Sequence, residues 1–147
     1  TGFSVDVWFQ LQPLEPDQVL LDNRNEADKG VALVTADDET IEIVLNDGRT
    51  ENRWGCDPGL IEPNTLHHLL VTVDGGPKII TFVVDGKLCD GADHRQFGWG
   101  RFSPHLRDVN GSNILRIGPN LKGRVKSLRI YDRSLLTSEA IGNYRAG

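Results

Sequence analysis

Turn-forming clusters recur along this chain at intervals too short for anything but brief extended segments. They are Asn46-Asp47-Gly48, Asp57-Pro58-Gly59, Asp74-Gly75-Gly76-Pro77, Asp85-Gly86, Asn110-Gly111 and Gly118-Pro119. Gly supplies positive φ, while Pro fixes φ and removes a backbone donor, so each cluster stops the element before it. The runs between them are rich in Val, Ile, Leu and Phe, and many alternate with period two. Phe3, Val5, Val7, Phe9 and Leu11 fall on one face of an extended segment, with Ser4, Asp6, Trp8 and Gln10 on the other. Ile41, Ile43 and Leu45 oppose Glu42, Val44 and Asn46 in the same way. Leu66 to Val73 and Lys78 to Asp85 flank the Gly-Gly-Pro turn and predict a hairpin. Ile114 to Ile117 and Val125 to Tyr131 complete the set. Short strands at this spacing predict an all-β sandwich or barrel. At 147 residues the chain predicts one domain, 1–147, with a core of its own.

Two stretches depart from this pattern. Thr137-Ser138-Glu139-Ala140-Ile141 predicts one short C-terminal helix, with Thr137 as N-cap, Glu139 at the positive end of the dipole and Gly142 limiting its length. The polar stretch from Asp90 to Asn113 has the fewest strand signals and predicts an elaborated loop, the kind of segment that carries function on a rigid scaffold. The two cysteines, Cys56 and Cys89, both sit at loop mouths (Cys56-Asp57-Pro58-Gly59 and Cys89-Asp90-Gly91). They are read either as buried free thiols or, the favoured expectation, as a disulfide. A bridge would add roughly 3–4 kcal/mol through loop entropy and would imply an oxidising compartment.

Charge and hydropathy exclude several classes. The net charge of −5 makes the chain a poor phosphate binder, which argues against nucleic acid as a partner. It also argues against an anionic membrane surface. No apolar run approaches the roughly 20 residues that span a bilayer. No signal peptide is visible at Thr1-Gly2, so the expectation is a domain excised from a larger multidomain protein.

Three segments hold unusual chemistry. Gln96-Phe97-Gly98-Trp99-Gly100-Arg101-Phe102 places a Trp between two glycines, where the ring either faces ligand or packs the loop on the sandwich rim. Arg53-Trp54-Gly55-Cys56-Asp57 combines an aromatic, a guanidinium and a carboxylate. Arg donates to one of two vicinal hydroxyls while Asp accepts from the other, which is how such a set grips a sugar. In Leu21 to Gly30, Asp22 and Arg24 lie closest to the strand-like Val19-Leu20-Leu21 and are the anchored candidates. Glu42, on the polar face of its strand, and Asp90 join the set. The candidate carbohydrate-binding residues are therefore Asp22, Arg24, Glu42, Arg53, Trp54, Asp57, Asp90, Gln96, Trp99 and Arg101.

A catalytic constellation is not evident. No Gly-x-Ser-x-Gly turn presents a nucleophile. His67 and His68, adjacent in a strand, point to opposite faces and cannot share a zinc ion. Glu26-Ala27-Asp28-Lys29-Gly30-Val31 lacks the last acid of a Glu-x-Asp-x-x-Glu glucanase strand. Asp6, Asp57, Asp90, Asp108 and Asp132 could supply oxygen to a structural calcium, but no spaced motif selects among them. No catalytic residue, no metal site and no cofactor is expected.

The segment Leu66 to Leu88, the Phe97 to Phe102 stretch and the ending Gly123-Arg124-Val125-Lys126-Ser127-Leu128-Arg129-Ile130-Tyr131-Asp132-Arg133-Ser134-Leu135 together resemble the laminin-G-like concanavalin A superfamily. The resemblance implies a two-sheet antiparallel jelly-roll sandwich with a last strand followed by a helix start. Within that group the chain is similar to carbohydrate-binding modules of family 66, attached to bacterial glycoside hydrolases. That similarity implies a non-catalytic module that binds polysaccharide or oligosaccharide, such as the terminal fructose of levan-type fructan. It also implies a catalytic domain in the same polypeptide and a secreted or cell-surface bacterial setting. A laminin-G-type adhesion domain binding a protein or glycan is the alternative, and a glycoside hydrolase or lyase the second alternative.

Overall fold

The computed structural model describes residues 2–147. The described chain forms β1 (Gly2–Leu11), β2 (Val19–Asp22), β3 (Gly30–Thr35), β4 (Ile41–Asn46), β5 (Glu51–Gly55), β6 (His67–Asp74), β7 (Ile79–Val84), β8 (Lys87–Leu88), β9 (Gly100–Arg101), β10 (Arg116–Ile117), β11 (Gly123–Tyr131) and one helix, α1 (Thr137–Ala146). One sheet runs β11-β1-β6-β7-β8, with β9 paired to β7, and the other runs β10-β2-β3-β4-β5. All pairs are antiparallel. The fold is the expected sandwich.

The period-two pattern decides which faces meet. Val5, Val7, Phe9 and Leu11 of β1 are each no more than 2% exposed and join Leu69, Val71, Ile80 and Phe82 from the same sheet. Leu21, Leu33, Ile43 and Leu45 enter that core from the opposite sheet. Each such side chain stabilises the fold by roughly 1.5–3 kcal/mol when fully buried.

The outer faces of the two sheets differ. On the first sheet α1 covers Asp6 and Trp8, and the segment before it covers Ser4, whose Oγ donates to the Arg133 carbonyl at 2.8 Å and accepts the Leu135 N–H at 2.9 Å. Tyr144 stacks on Trp8, with centroids 5.7 Å apart, and Asn143 Nδ2 donates to Asp6 Oδ2 at 2.9 Å. His68, fully buried, brings Nε2 to 3.0 Å from Asp6 Oδ1. His67 points the other way, its Nδ1 2.6 Å from Asp85 Oδ2. Leu70, Val83, Leu135 and Ala140 form a second small core under the helix. Among the described residues no helix covers the second sheet, and its outer face carries the exposed polar chemistry.

The helix is longer than its sequence suggests. Gly142 sits inside it, exposed, at a cost of about 1 kcal/mol relative to Ala. Docking against the sheet outweighs that cost, and the helix ends at Gly147, whose N–H donates to the Tyr144 carbonyl with φ at +83°. The N-cap is Leu136 rather than Thr137, and its backbone N–H donates to the Glu139 carboxylate at 3.0 Å.

Candidate functional site

The register of the second sheet sets a single cross-strand row on its outer face. Arg116 lies opposite Asp22, Asp22 opposite Ala32, Ala32 opposite Val44, and Val44 opposite Arg53. The neighbouring row, Leu21, Leu33, Ile43 and Trp54, faces the core. Two small apolar residues at the centre of the outer row let long side chains lie across them. Ala32 and Val44 are fully buried although no element packs above them, so the flanking side chains close over the floor.

Those flanking side chains form two charged clusters. At one end, Arg24 Nε and Nη2 each donate to an Asp22 oxygen at 3.0 Å. Arg116 Nη2 adds a third contact to Asp22, at 3.1 Å. At the other end, Arg53 Nε donates to Glu51 at 2.9 Å and Nη1 to Glu42 at 3.3 Å. Asn46 Nδ2 donates to the second Glu51 oxygen at 3.1 Å. Burial pushes the Asp22 carboxyl up, but the Arg24 hydrogen bonds and the Arg116 charge outweigh it and hold the group below 3.8, its ordinary value. The Arg53 hydrogen bond lowers Glu51 likewise. The face thus presents three guanidinia balanced by three carboxylates. A depression of about 760 Å³ opens beside Arg24, Arg116, Ser112 and Ile114. A cleft of about 600 Å³ opens on the other flank, lined by Asp37, Asp38, Glu39, Glu42, His94 and Arg95.

Trp54, Asp57 and Asp90 lie elsewhere, in a junction between the loop after β5 and the loop after β8. The Asp57 carboxylate, 4% exposed, accepts the backbone N–H groups of Asp90 and Gly91 and an Arg95 Nη2 donor at 2.9 Å. The Arg95 guanidinium lies 4.1 Å from the centroid of the Trp54 ring, and Trp54 Nε1 donates to the Gly98 carbonyl at 2.9 Å. These groups join loops, and the Asp57 carboxylate and the Trp54 indole N–H are already partnered, while Arg95 Nε is buried without a partner among the described residues. Asp90 accepts the Ala92 N–H at 2.9 Å.

Here the structure corrects the expected disulfide. Cys56 and Cys89 are free, buried thiols. Cys56 Sγ accepts the Ile41 N–H of β4 at 3.4 Å, and Cys89 takes a backbone hydrogen bond from Asp57 in the facing loop, so each sulfur serves as an acceptor for a distant segment. Burial pushes Cys56 up to about 12 and Cys89 to about 11, which keeps both protonated.

Gln96 and Trp99 occupy the outer part of the second loop, and Arg101 follows in β9. Trp99 is half-buried and stacks on the exposed Phe97, centroids 4.8 Å apart, with Arg101 5.7 Å from its ring. The flanking glycines serve close approach rather than display of Trp99. A Cβ on Gly98 would fall 1.8 Å from the Cys89 carbonyl oxygen.

Of the ten candidates, Asp22, Arg24, Glu42 and Arg53 are brought together on one face. Trp54, Asp57 and Asp90 belong to the junction, Gln96 and Trp99 to the outer loop, and Arg101 to β9. Sequence reading missed Arg116 and Glu51, although the alternation Glu51-x-Arg53 carried a signal. It also missed Arg95, whose partners lie about 40 residues away. Among the described residues no group of three or more His, Cys, Asp or Glu side chains converges as a metal site.

Structural comparison finds the same sandwich fold in several solved structures. The Ruminococcus gnavus IT-sialidase CBM40 bound to α2,3-sialyllactose matches with a TM-score of 0.74 at 12% identity, covering 97% of this chain and 82% of that one. The binding domain of botulinum neurotoxin serotype D matches with a TM-score of 0.73 at 15% identity, covering 99% of this chain and 37% of that one. The binding domain of botulinum neurotoxin DC in complex with rat synaptotagmin II gives 0.73 at 12% identity, covering 99% and 35%. The chain thus spans about a third of the length of the toxin domains. At these identities the likeness shows the fold. A search of curated protein sequences returned no significant match. The model of the Laminin_G_3 family, the concanavalin A-like lectin/glucanases superfamily, matches residues 1–141, and the chain belongs to that family.

Proposed function

We propose that this domain is a non-catalytic carbohydrate-binding module whose site is the outer face of the second sheet. The observation that carries this reading is the row Arg116–Asp22–Ala32–Val44–Arg53, with Arg24, Glu42 and Glu51 beside it. Each cluster sets a carboxylate oxygen next to guanidinium N–H groups, so one sugar hydroxyl can donate while its neighbour accepts. The balance of three cations against three anions suits a neutral polyol. The CBM40 neighbour bound to sialyllactose adds support at the level of fold.

The non-catalytic reading rests on the sequence, which carries neither a Gly-x-Ser-x-Gly turn nor a Glu-x-Asp-x-x-Glu strand. The ligand proposed first is the terminal fructose of a levan-type fructan. The setting proposed is a secreted or cell-surface protein in which the module delivers an attached glycoside hydrolase to its polymer.

Calorimetry of the folded domain against levan, inulin, pectin, glucans and sialyllactose tests this. Binding to one of them that weakens by roughly 1–3 kcal/mol in Asp22→Asn or Arg53→Gln is the expected result. No binding to any, by a folded sample, overturns it. Release of reducing sugar would revive the hydrolase.

A second reading, adhesion to a protein, is favoured by the exposure of Ile114 at 69% just before β10, Ile117 at 52% on β10 and Ile130 at 53% on β11. The synaptotagmin complex of a structural neighbour adds to it. Binding to a defined protein that Ile114→Ser and Ile117→Ser abolish, with the glycan panel negative, would establish it.

A further inference from the structure

At the β4–β5 turn a second constellation stands apart from the row just described. Asp47 is its keystone. Its Oδ1 accepts the N–H groups of Arg49 at 2.8 Å and Thr50 at 2.6 Å, and its Oδ2 accepts the N–H of Arg107 at 2.7 Å. One carboxylate thereby fixes the tight turn and pins a loop 60 residues away against it. The result is a pocket of about 350 Å³ lined by Asp47, Arg49, Thr50, His105 and Arg107.

The charges there are unlike those of the sheet face. There, every arginine has a carboxylate partner. At the turn the Arg49 and Arg107 guanidinia form no ion pair among the described residues, and neither does His105. The one carboxylate in the pocket is engaged by three backbone donors. Arg107 N–H, first among those donors, with those of Thr50 and Arg49, holds Asp47 down at about 2, so it stays ionised as the clamp. The Asp47 charge offsets part of this cationic potential, yet Arg49, Arg107 and Thr50 still line one small concavity. Guanidinium forks match the paired oxygens of a carboxylate or sulfate.

We propose that this pocket binds the oxyanion of a glycan substituent, a sulfate ester or a uronate carboxylate. The choice of a glycan as carrier rests on the sugar-binding reading of the sheet face. β5 supports it physically: from Arg53 back to Thr50 is three residues, about 10 Å of extended strand. A polymer lying along β5 would reach the pocket from the face. The net charge of −5 sharpens the assignment. Such a chain does not attract polyanions generally, so retention of one must come from a local site and must vanish when that site is altered.

Affinity electrophoresis and calorimetry with dextran sulfate, polygalacturonate and unmodified dextran test the proposal. The expected result is binding to one or both charged polymers and a tighter Kd than for dextran, with a loss of about tenfold in each of Arg49→Gln and Arg107→Gln. Arg49→Lys, which keeps charge without the fork, should recover only part of it, and unchanged melting temperatures would show that the variants remain folded. Charged-polymer binding that persists in the Arg49→Gln/Arg107→Gln double variant overturns the proposal, as does no binding at all. Equal affinity for inorganic sulfate alone, or for duplex DNA with the same sensitivity to the variants, overturns the glycan assignment. Failure of the sheet face reads out separately, as Arg53→Gln leaving neutral-polysaccharide binding unchanged.

Discussion

The ring of Trp54 lies directly on the Cα of Gly100, so close that a Cβ at Gly100 would fall 2.2 Å from indole Cδ2. Gly100 opens β9, a two-residue strand that pairs with Ile79 and Ile80 of β7. The indole thus bridges the two sheets at their rim. Gly100→Ala should force ring or strand to shift and cost about 1–3 kcal/mol, the range for overpacking a filled site. Chemical denaturation would measure it, and an unchanged midpoint would show that the ring moves freely.

Asp57 anchors the same rim. Asp57→Ala leaves the Asp90 and Gly91 N–H groups and the Arg95 donor without their acceptor. The expected loss is about 3 kcal/mol, the lower end for breaking a buried charge pair, because Arg95 keeps partial access to water. Ligand affinity of the still-folded fraction should stay within about twofold of the parent. A large affinity loss without destabilisation would move Asp57 into the binding site.

The thiols of Cys56 and Cys89 should be inert in the native state. Both are buried and both titrate far above neutrality, at about 12 and about 11. A thiol-reactive dye added at pH 7 should label two groups per chain only after denaturant, and reducing agent should leave the melting temperature unchanged. Prompt labelling of the folded protein would contradict the burial.

Asp47 should contribute to acid sensitivity. Its folded value of about 2 lies below its ordinary 3.8. Its stabilisation is therefore fully present above 3.8 and is lost as pH falls through about 2. Asp47→Asn should flatten that limb of the stability curve and leave the neutral plateau lower. If the limb keeps its slope, the turn does not depend on that charge.

The fold was legible because the alternation of Phe3 to Leu11 and of Ile41 to Asn46 is a local property of extended chain. So was the opposition of His67 and His68. The helix end was misread because Gly142 is locally unfavourable, and the packing of Ala140 and Tyr144 against the first sheet overrides it. The site was legible in part. Asp22, Arg24, Glu42 and Arg53 show their chemistry in sequence, yet the row that aligns them depends on strand register across four pairings. Arg95 and Arg107 were invisible because their partners are set by loop closure, which no local pattern encodes. The disulfide expectation failed for a related reason. Matching contexts around Cys56 and Cys89 bring the loops together, but what joins them is the carboxylate of Asp57, one residue along.

That substitution of an ionic tie for a covalent one has a consequence for how the rim is joined. A crosslink of sulfurs must be made by an oxidant and can be undone by a reductant. A carboxylate held by two amides and a guanidinium forms as the chain folds and is indifferent to electrons. The tie that Asp57 makes across the rim therefore forms without an oxidant, whatever the state of the two thiols beside it.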